Sequence, residues 1–184
     1  DGQTERYDTV MQPGRYDAPG QIYQPSLYLG ILTAYKPING GIFATNTIDA
    51  AIALTNITLL DKTTPLSLGG YGIPNKITVA AALDMAVQKF GRTTLLTKGR
   101  ITGINATVIV GYGPNWYAWF VGQIIVETTT AFILPGDSGS LLVTDNSSAN
   151  PVGLLFAGND TGTMAIANPI DLVLKEFGVT IDGK

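Results

Sequence analysis

Short apolar segments that alternate with turn signals constrain the fold of this chain most strongly. Six candidate strands lie in its second half, at 86–90, 101–110, 122–127, 140–144, 152–157 and 164–167. Turns rich in Gly, Pro and Asn separate several of them, at 111–114, 145–151 and 159–162. Segments of this length between such turns are typical of β-strands. The spacing predicts an all-β structure of the sandwich or barrel type.

The first half of the chain carries fewer such segments. Residues 28–35 form an apolar strand candidate that stops at the turn 37–41. The segment 47–54 favours a strand with one acid, Asp49, although its Ala-rich run also fits a helix. A stretch rich in Thr, Pro and Gly, 60–74, reads as a connector. We therefore expect two parts, residues 1–70 and residues 71–184.

The end of the chain follows a different pattern. After Asn168-Pro169, apolar residues at 170, 173, 174 and 177 fall at helical spacing, and Gly178 follows them. Proline suits the start of a helix, and glycine suits its end. The sequence therefore predicts a β body followed by one C-terminal helix.

Composition narrows the classes of partner. The net charge is −3 and no basic cluster is present, which argues against nucleic acid or an anionic membrane as a partner. The chain has no Cys and no His, which argues against a zinc or other transition-metal site. Residues 1–6 are polar and lack the apolar region of a signal peptide, so the protein is cytosolic or its targeting segment has been removed.

The motif GDSGS at 136–140 carries the clearest chemical signal. A serine nucleophile needs an exposed hydroxyl on a tight turn, with backbone N–H groups aimed at the developing oxyanion. Ser138 fits the nucleophile, and the amides of Gly136 and Ser138 fit the oxyanion hole. The five residues taken alone are equally typical of a hairpin turn.

The context of this motif favours the catalytic interpretation. The sequence DSGSLLVTDNSSANPVGLLFAG follows from 137, TMAIANPI precedes the predicted helix, and KFGRTT and TKGRI lie upstream, from 89 and 97. Together these segments resemble the trypsin/chymotrypsin family of serine peptidases, and specifically bacterial members of the α-lytic protease/streptogrisin kind. Leu95 departs from the family pattern, which usually has Gly there.

The resemblance implies a fold and an activity. The fold would be a chymotrypsin-like double β-barrel with a C-terminal helix. The activity would be that of a serine endopeptidase, which hydrolyses peptide or protein substrates through an acyl-enzyme without a cofactor.

The resemblance also implies an acid. The segment NTIDAAIA at 46–53 matches the family's short apolar strand with one Asp, so Asp49 would orient a histidine and stabilise its imidazolium. Its position before Ser138 fits the family order of histidine, acid and serine. The alternative is an Asp at a strand end that faces water.

Further roles follow from the same family pattern. Arg92 of the GRTT motif would pair with Asp137, which precedes the nucleophile; the alternative places Arg92 on a solvated loop. The substrate-binding residues, counted by offset from Ser138, are a pocket floor, a rim and a cleft strand, namely Phe132, Pro135, Phe156, Ala157 and Gly158. With no acid at the floor, a small or apolar substrate residue is expected. The two phenylalanines fit a core role equally well.

One family residue is missing, because the chain contains no histidine to act as general base. Only 48 loop-rich residues precede Asp49, too few to complete a first barrel. Three explanations remain open: a histidine-bearing N-terminal fragment of the same precursor that was cut and stays bound, a truncated chain, or a non-catalytic relative that binds peptides or acts as a scaffold. The assembly of the remaining motifs favours the first. A structural β-sandwich with an accidental GDSGS would place Asp49 far from Ser138.

Overall fold

The computed structural model describes residues 7–12, 27–41 and 44–184. These ranges contain mainly β-structure. The strands and the helix are β1 (Thr9–Met11), β2 (Tyr28–Tyr35), β3 (Thr45–Asn46), β4 (Ala51–Thr55), β5 (Ala86–Gly91), β6 (Leu95–Gly113), β7 (Trp116–Glu127), β8 (Leu141–Thr144), β9 (Pro151–Gly158), β10 (Met164–Pro169) and α1 (Ile170–Phe177). Two single turns of 3₁₀-helix lie at Ile57–Leu59 and Leu66–Leu68.

The smaller of two compact units comprises residues up to 36 together with 51–61. Its described strands form an antiparallel sheet in the order β1, β2, β4. The strand predicted at 28–35 is confirmed as β2. The segment 47–54 is not helical, because its second half belongs to β4 and pairs with β2, with Ala53 opposite Leu32.

The larger unit comprises residues 37–50 and 62–184. Strands β5 to β10 close into a barrel, because β10 pairs with β9 on one side and with β7 on the other. The barrel interior is filled by fully or almost fully buried apolar side chains, among them Val87, Ile101, Ile124, Val126, Phe132, Leu142 and Leu155. The choice between sandwich and barrel is thereby settled for this unit.

The β6–β7 hairpin is longer than its sequence predicts. Its strands have 19 and 12 residues, and the turn falls at 114–115 instead of 111–114. Polar and aromatic residues near the tip hide the strand period from a sequence pattern. The pairing register shifts near Asn105 and Gly122, and both have a positive φ, of 57° and 75°. Such bulges bend a hairpin.

The C-terminal helix is confirmed as α1. Gly178 follows it at φ 64° and closes it with an amide hydrogen bond to the Leu174 carbonyl. The apolar face of the helix carries Val173, which clusters with Ile48 and Ala50 on the segment around Asp49. The helix therefore packs against the stretch that carries the predicted acid.

Asp49, which the sequence-based division at residue 70 places in the first part, lies in the larger unit together with Ser138. Strand β3 attaches this stretch by pairing in parallel with β7, with Asn46 opposite Phe120. Among the described residues, no helix is both long enough and apolar enough to cross a membrane.

Candidate active site

Ser138 lies on a pair of tight turns between the barrel core and β8. Gly136 and Gly139, on either side of it, have φ of 102° and 86°, which glycine adopts without steric cost. The Asp137 amide donates to the Leu134 carbonyl at 3.0 Å, and the Gly139 amide donates to the Leu155 carbonyl at 2.7 Å. The Ser138 side chain is exposed, and its hydroxyl donates only a long hydrogen bond, of 3.3 Å, to the Phe156 carbonyl. This geometry suits a nucleophile.

The sequence predicts an oxyanion hole formed by the amides of Gly136 and Ser138. In the turns and loops of the described chain, no backbone carbonyl accepts a hydrogen bond from either amide. Both N–H groups are therefore without a backbone acceptor in this part of the described chain. Their assignment to an oxyanion remains a prediction.

Asp137 is fully buried and anchors this loop. Its carboxylate accepts hydrogen bonds from the Thr93 amide at 2.8 Å, the Thr94 amide at 3.2 Å and the Leu134 amide at 3.0 Å. The Thr94 hydroxyl donates a fourth, at 2.8 Å. Burial by itself would raise the pKa of Asp137, but these four donors outweigh it and hold the pKa below its ordinary value. The GRTT motif therefore works as a cradle for this carboxylate.

The cation beside Asp137 is Lys89 of β5, which the sequence analysis did not single out. Its side chain is fully buried, and its ammonium group lies 3.5 Å from the Asp137 carboxylate. The same group donates to the Leu95 carbonyl at 3.0 Å and to the Thr94 hydroxyl. Burial lowers the pKa of Lys89, and the charge of Asp137 offsets part of that effect. The sequence does not predict this contact, because Lys89 lies in a strand that is distant from Asp137 in the chain.

Arg92, the predicted partner of Asp137, has an exposed side chain. Its guanidinium donates to the Thr93 hydroxyl at 3.1 Å, and it lies near the backbone of Gly136. The pair between Arg92 and Asp137 stays a prediction.

Asp137 should make the stability of the chain depend on pH. Its folded-state pKa lies below the unfolded value of 3.8, so the unfolded state binds the proton more readily. The stabilisation is therefore present above pH 3.8 and is lost as the pH falls through the folded-state pKa. We expect the urea midpoint to fall in this acid range, and less steeply in Asp137→Asn. Equal slopes in the two proteins would contradict this assignment.

Gly91 allows the carboxylate of Asp137 to approach the end of β5. A Cβ at this position would overlap the carboxylate and would lie 2.8 Å from the Ser140 hydroxyl. We expect Gly91→Ala to lower the free energy of unfolding by about 1–3 kcal/mol, as overpacking does. Gly113→Ala is the matched control, because nothing lies within 4 Å of a Cβ there. Urea unfolding measures both, and equal losses would contradict the packing argument.

Asp49 is half-buried, and its backbone is fixed by one fully buried side chain, Asn168. The Asn168 amide nitrogen donates to the Asp49 carbonyl at 2.8 Å, and the Asp49 amide donates to the Asn168 oxygen at 3.0 Å. The Asp49 carboxylate accepts a hydrogen bond of 2.6 Å from the hydroxyl of Tyr112, near the tip of the β6–β7 hairpin. Sequence reasoning found neither partner, since both are distant in the chain.

A cavity of about 310 Å³ lies beside the nucleophile. Its walls come from the nucleophile loop and from the end of β9 with the following turn: Ile133, Leu134, Pro135, Ser138, Ala157, Gly158, Asn159 and Asp160. Pro135, Ala157 and Gly158 are among the residues that the sequence nominated for substrate binding. The structure thus brings these three to the nucleophile.

The two nominated phenylalanines lie elsewhere. Phe132 is fully buried in the barrel core and does not line the cavity, whereas its buried neighbour Ile133 does. The ring of Phe156 is half-buried and packs against Phe120, with centroids 5.0 Å apart. Ile133 also narrows the cavity: a Cβ on Gly158 would lie 2.5 Å from its side chain. Asp160 is an exposed acid in the cavity wall that the sequence analysis did not identify.

Comparison with models of known protein families found no match. Among curated proteins, the chain is similar to streptogrisin-A of Streptomyces griseus, with 32% identity over 104 residues, and to glutamyl endopeptidase 2 of the same organism, with 31% over 101 residues. Each alignment covers 55% of this chain, and they cover 32% and 50% of the respective relatives. The chain therefore spans at most half the length of these relatives.

Solved structures show the same likeness at the level of fold. A glutamic acid specific serine protease matches with a TM-score of 0.61 and 23% identity, over 84% of this chain and 74% of its own. Cellulomonas bogoriensis chymotrypsin matches with a TM-score of 0.63 and 22% identity, over 84% of this chain and 76% of its own. Thermobifida fusca protease A matches with a TM-score of 0.63 and 19% identity, over 84% of this chain and 75% of its own.

The chain has the chymotrypsin-like fold of bacterial serine proteases, and its sequence is similar to two bacterial serine peptidases over about half of its length. The predicted fold class and the family resemblance are thereby confirmed. Within this peptidase fold, Ser138 and Asp49 occupy one compact unit, the larger one. Because the chain spans at most half of its curated relatives, their activity does not transfer to it by similarity alone.

Proposed function

We propose that this chain is the nucleophile-bearing part of a serine endopeptidase. The observation that carries the proposal is Ser138, exposed in the wall of a cavity on a loop that the buried Asp137 anchors. The Ser138 oxygen attacks the peptide carbonyl carbon while a base takes its proton. The amides of Gly136 and Ser138 stabilise the oxyanion, the amine leaves with the proton, and water then hydrolyses the acyl-enzyme.

A histidine from outside this sequence would supply the base, since the chain has none. We place it on an N-terminal fragment of the same precursor that stays bound, with Asp49 orienting its imidazole. The smaller unit supports such a partner, because Leu54, Ile57 and Leu60 are 64%, 78% and 51% exposed. A cavity of about 490 Å³ is lined by Leu54 together with residues of β2 and of the segment that follows β4. Exposed apolar surface of this kind marks an interaction site.

The substrate would lie along the end of β9. Strand β8 pairs with β9 only as far as Leu154, which leaves the edge at 156–158 for an added substrate strand. Ile133, Leu134 and Pro135 form the apolar part of the adjoining cavity wall, and Ile133 also narrows the cavity. This shape supports a small or apolar residue before the scissile bond.

Two measurements on protein purified from its natural source test the proposal. An intact mass shows whether a second, histidine-bearing polypeptide travels with this chain. Labelling with an organophosphate then reports whether Ser138 is activated. Stoichiometric modification of Ser138 supports the peptidase. An unlabelled serine in a sample that includes the histidine-bearing segment would overturn it.

A second candidate function is a peptide-binding or scaffold module of the same fold. The observation that favours it is the zero histidine count, because serine without a base is a poor nucleophile. Such a module would bind peptides in the cleft without cleaving them, and its Ser138 would stay unlabelled with the upstream segment present. The same two measurements therefore separate the candidates.

A further inference from the structure

The phenol of Tyr112 is placed where it controls the side chain of the proposed acid. Its hydroxyl donates to one carboxylate oxygen of Asp49, Oδ2, at 2.6 Å. Tyr112 lies at the far end of β6, more than sixty positions from Asp49 in the chain. This contact therefore exists only because the long hairpin brings its tip back to the segment that carries the acid.

The backbone of Asp49 is fixed by contacts that do not involve Tyr112. Asn168 bonds both the amide and the carbonyl of Asp49. Gln123, which is fully buried, donates to the Thr47 carbonyl at 2.9 Å. What remains free is rotation about the side-chain bonds of Asp49, and the terminal carboxylate torsion of Asp is broad. One hydrogen bond from a rigid donor removes most of that freedom.

The ring of Tyr112 is 39% exposed on one side, and on the other it packs against two aromatic rings that restrict the position of its hydroxyl. It meets the ring of Trp116 edge-on, with centroids 5.0 Å apart, and the ring of Phe120 at 6.3 Å. Phe120 is fully buried and packs in turn against Phe156, whose carbonyl accepts the Ser138 hydroxyl. A continuous row of aromatic rings thus runs from the acid to the nucleophile inside one compact unit.

We infer that Tyr112 is a positioning residue for the acid: its hydroxyl fixes the Asp49 carboxylate through Oδ2 and leaves Oδ1 for an imidazole. This inference rests on the proposed function, because Asp49 acts as the acid only in a peptidase with its histidine present. Phe156, the ring of this row beside Ser138, has no hydroxyl and so cannot donate a hydrogen bond to Asp49 in place of Tyr112. The acid is then oriented before the base arrives, by residues of this chain alone.

The contact itself is tested on the chain as it stands. A hydrogen bond to a carboxylate moves a phenolic proton resonance downfield, so we expect one downfield hydroxyl resonance in the proton NMR spectrum at low temperature. It should vanish in Tyr112→Phe and persist in Tyr117→Phe, which alters an exposed tyrosine on the same hairpin. Loss of the resonance in Tyr117→Phe alone would overturn the assignment.

The role is tested in protein purified with its histidine-bearing segment, on a fluorogenic peptide with alanine before the scissile bond. Neutralising the acid of a serine triad costs about 10⁴-fold in kcat, and we expect about tenfold for Tyr112→Phe, because the carboxylate remains but loses its orientation. The KM should not change, since Tyr112 is not among the residues that line the cavity beside Ser138. Tyr117→Phe should match the wild type.

The outcomes separate this inference from the proposed function. An active wild type with unchanged kcat in Tyr112→Phe would overturn the positioning role and leave the peptidase standing. A rise in kcat would also overturn it, because Tyr112 would then compete with the imidazole for the carboxylate. An inactive wild type would remove the proposed function and this inference together.

Discussion

Asp137→Ala is expected to lower the free energy of unfolding by roughly 3–5 kcal/mol, the cost of leaving a buried charge without its partner. Lys89 would keep its ammonium group in a fully buried position. The amides of Thr93 and Leu134 would lose their acceptor at the same time. Urea unfolding followed by circular dichroism measures the loss.

A double-mutant cycle makes this prediction specific to the pair. Lys89→Met removes the charge but keeps an apolar chain of similar length, so the double variant should recover part of the loss. We expect a coupling energy of about 1–3 kcal/mol, in the range for residues of one network. Additive losses would mean that Lys89 and Asp137 do not depend on each other.

A second lysine–aspartate pair serves as the matched control. The Lys98 ammonium nitrogen lies 2.7 Å from a carboxylate oxygen of Asp145, but the two side chains are 58% and 26% exposed. Water screens such a pair, and its contribution is about 0–1 kcal/mol. Asp145→Ala should therefore cost far less than Asp137→Ala, and similar losses in the two variants would contradict the burial argument.

The elements that the sequence predicts well are those whose signal is local. The C-terminal helix is specified by apolar spacing with Pro169 before it and Gly178 after it, and the structure confirms it. Strand β2 is likewise read from eight residues and the turn that follows. The limits of the β6–β7 hairpin were missed, because its bulges at Asn105 and Gly122 break the strand period.

The contacts that arrange the site could not be predicted in the same way. Lys89, Tyr112 and Asn168 contact acids that lie 48, 63 and 119 positions away in the sequence, and no local sequence pattern predicts contacts over such separations. Lys89 is the sharpest case, because a charged residue within an apolar strand is usually assigned to the solvent side. Only the closed barrel shows that its ammonium group faces Asp137.

Counting by offset from the nucleophile predicts which residues lie near the cavity, and the structure places some of them in its wall and others in the core. Pro135 and Gly158 line the cavity as expected, since both adjoin the nucleophile loop or the end of β9. Phe132 and Ile133 both belong to the barrel core, but only Ile133 also lines the cavity. Packing decides which of two adjacent core residues also reaches the cavity.

Ser138→Ala is expected to have the largest effect on activity. In the protein with its histidine-bearing segment, kcat should fall by on the order of 10⁶-fold, as when a serine nucleophile is removed from a catalytic triad. Organophosphate labelling should be abolished. Stability should change by no more than about 0.5 kcal/mol, because the side chain is exposed and makes only a 3.3 Å hydrogen bond.

Ser140→Ala, two residues further along the same loop, should show the opposite pattern. The Ser140 hydroxyl donates to the Asp137 carbonyl at 2.6 Å, so its removal should cost about 1 kcal/mol of stability. Labelling at Ser138 should remain stoichiometric in this variant. The Ser140 hydroxyl anchors the loop, and the Ser138 hydroxyl faces the cavity. The two variants therefore distinguish an effect on stability from an effect on labelling. If Ser140→Ala lost its label while Ser138→Ala kept it, the nucleophile would be assigned to the wrong residue.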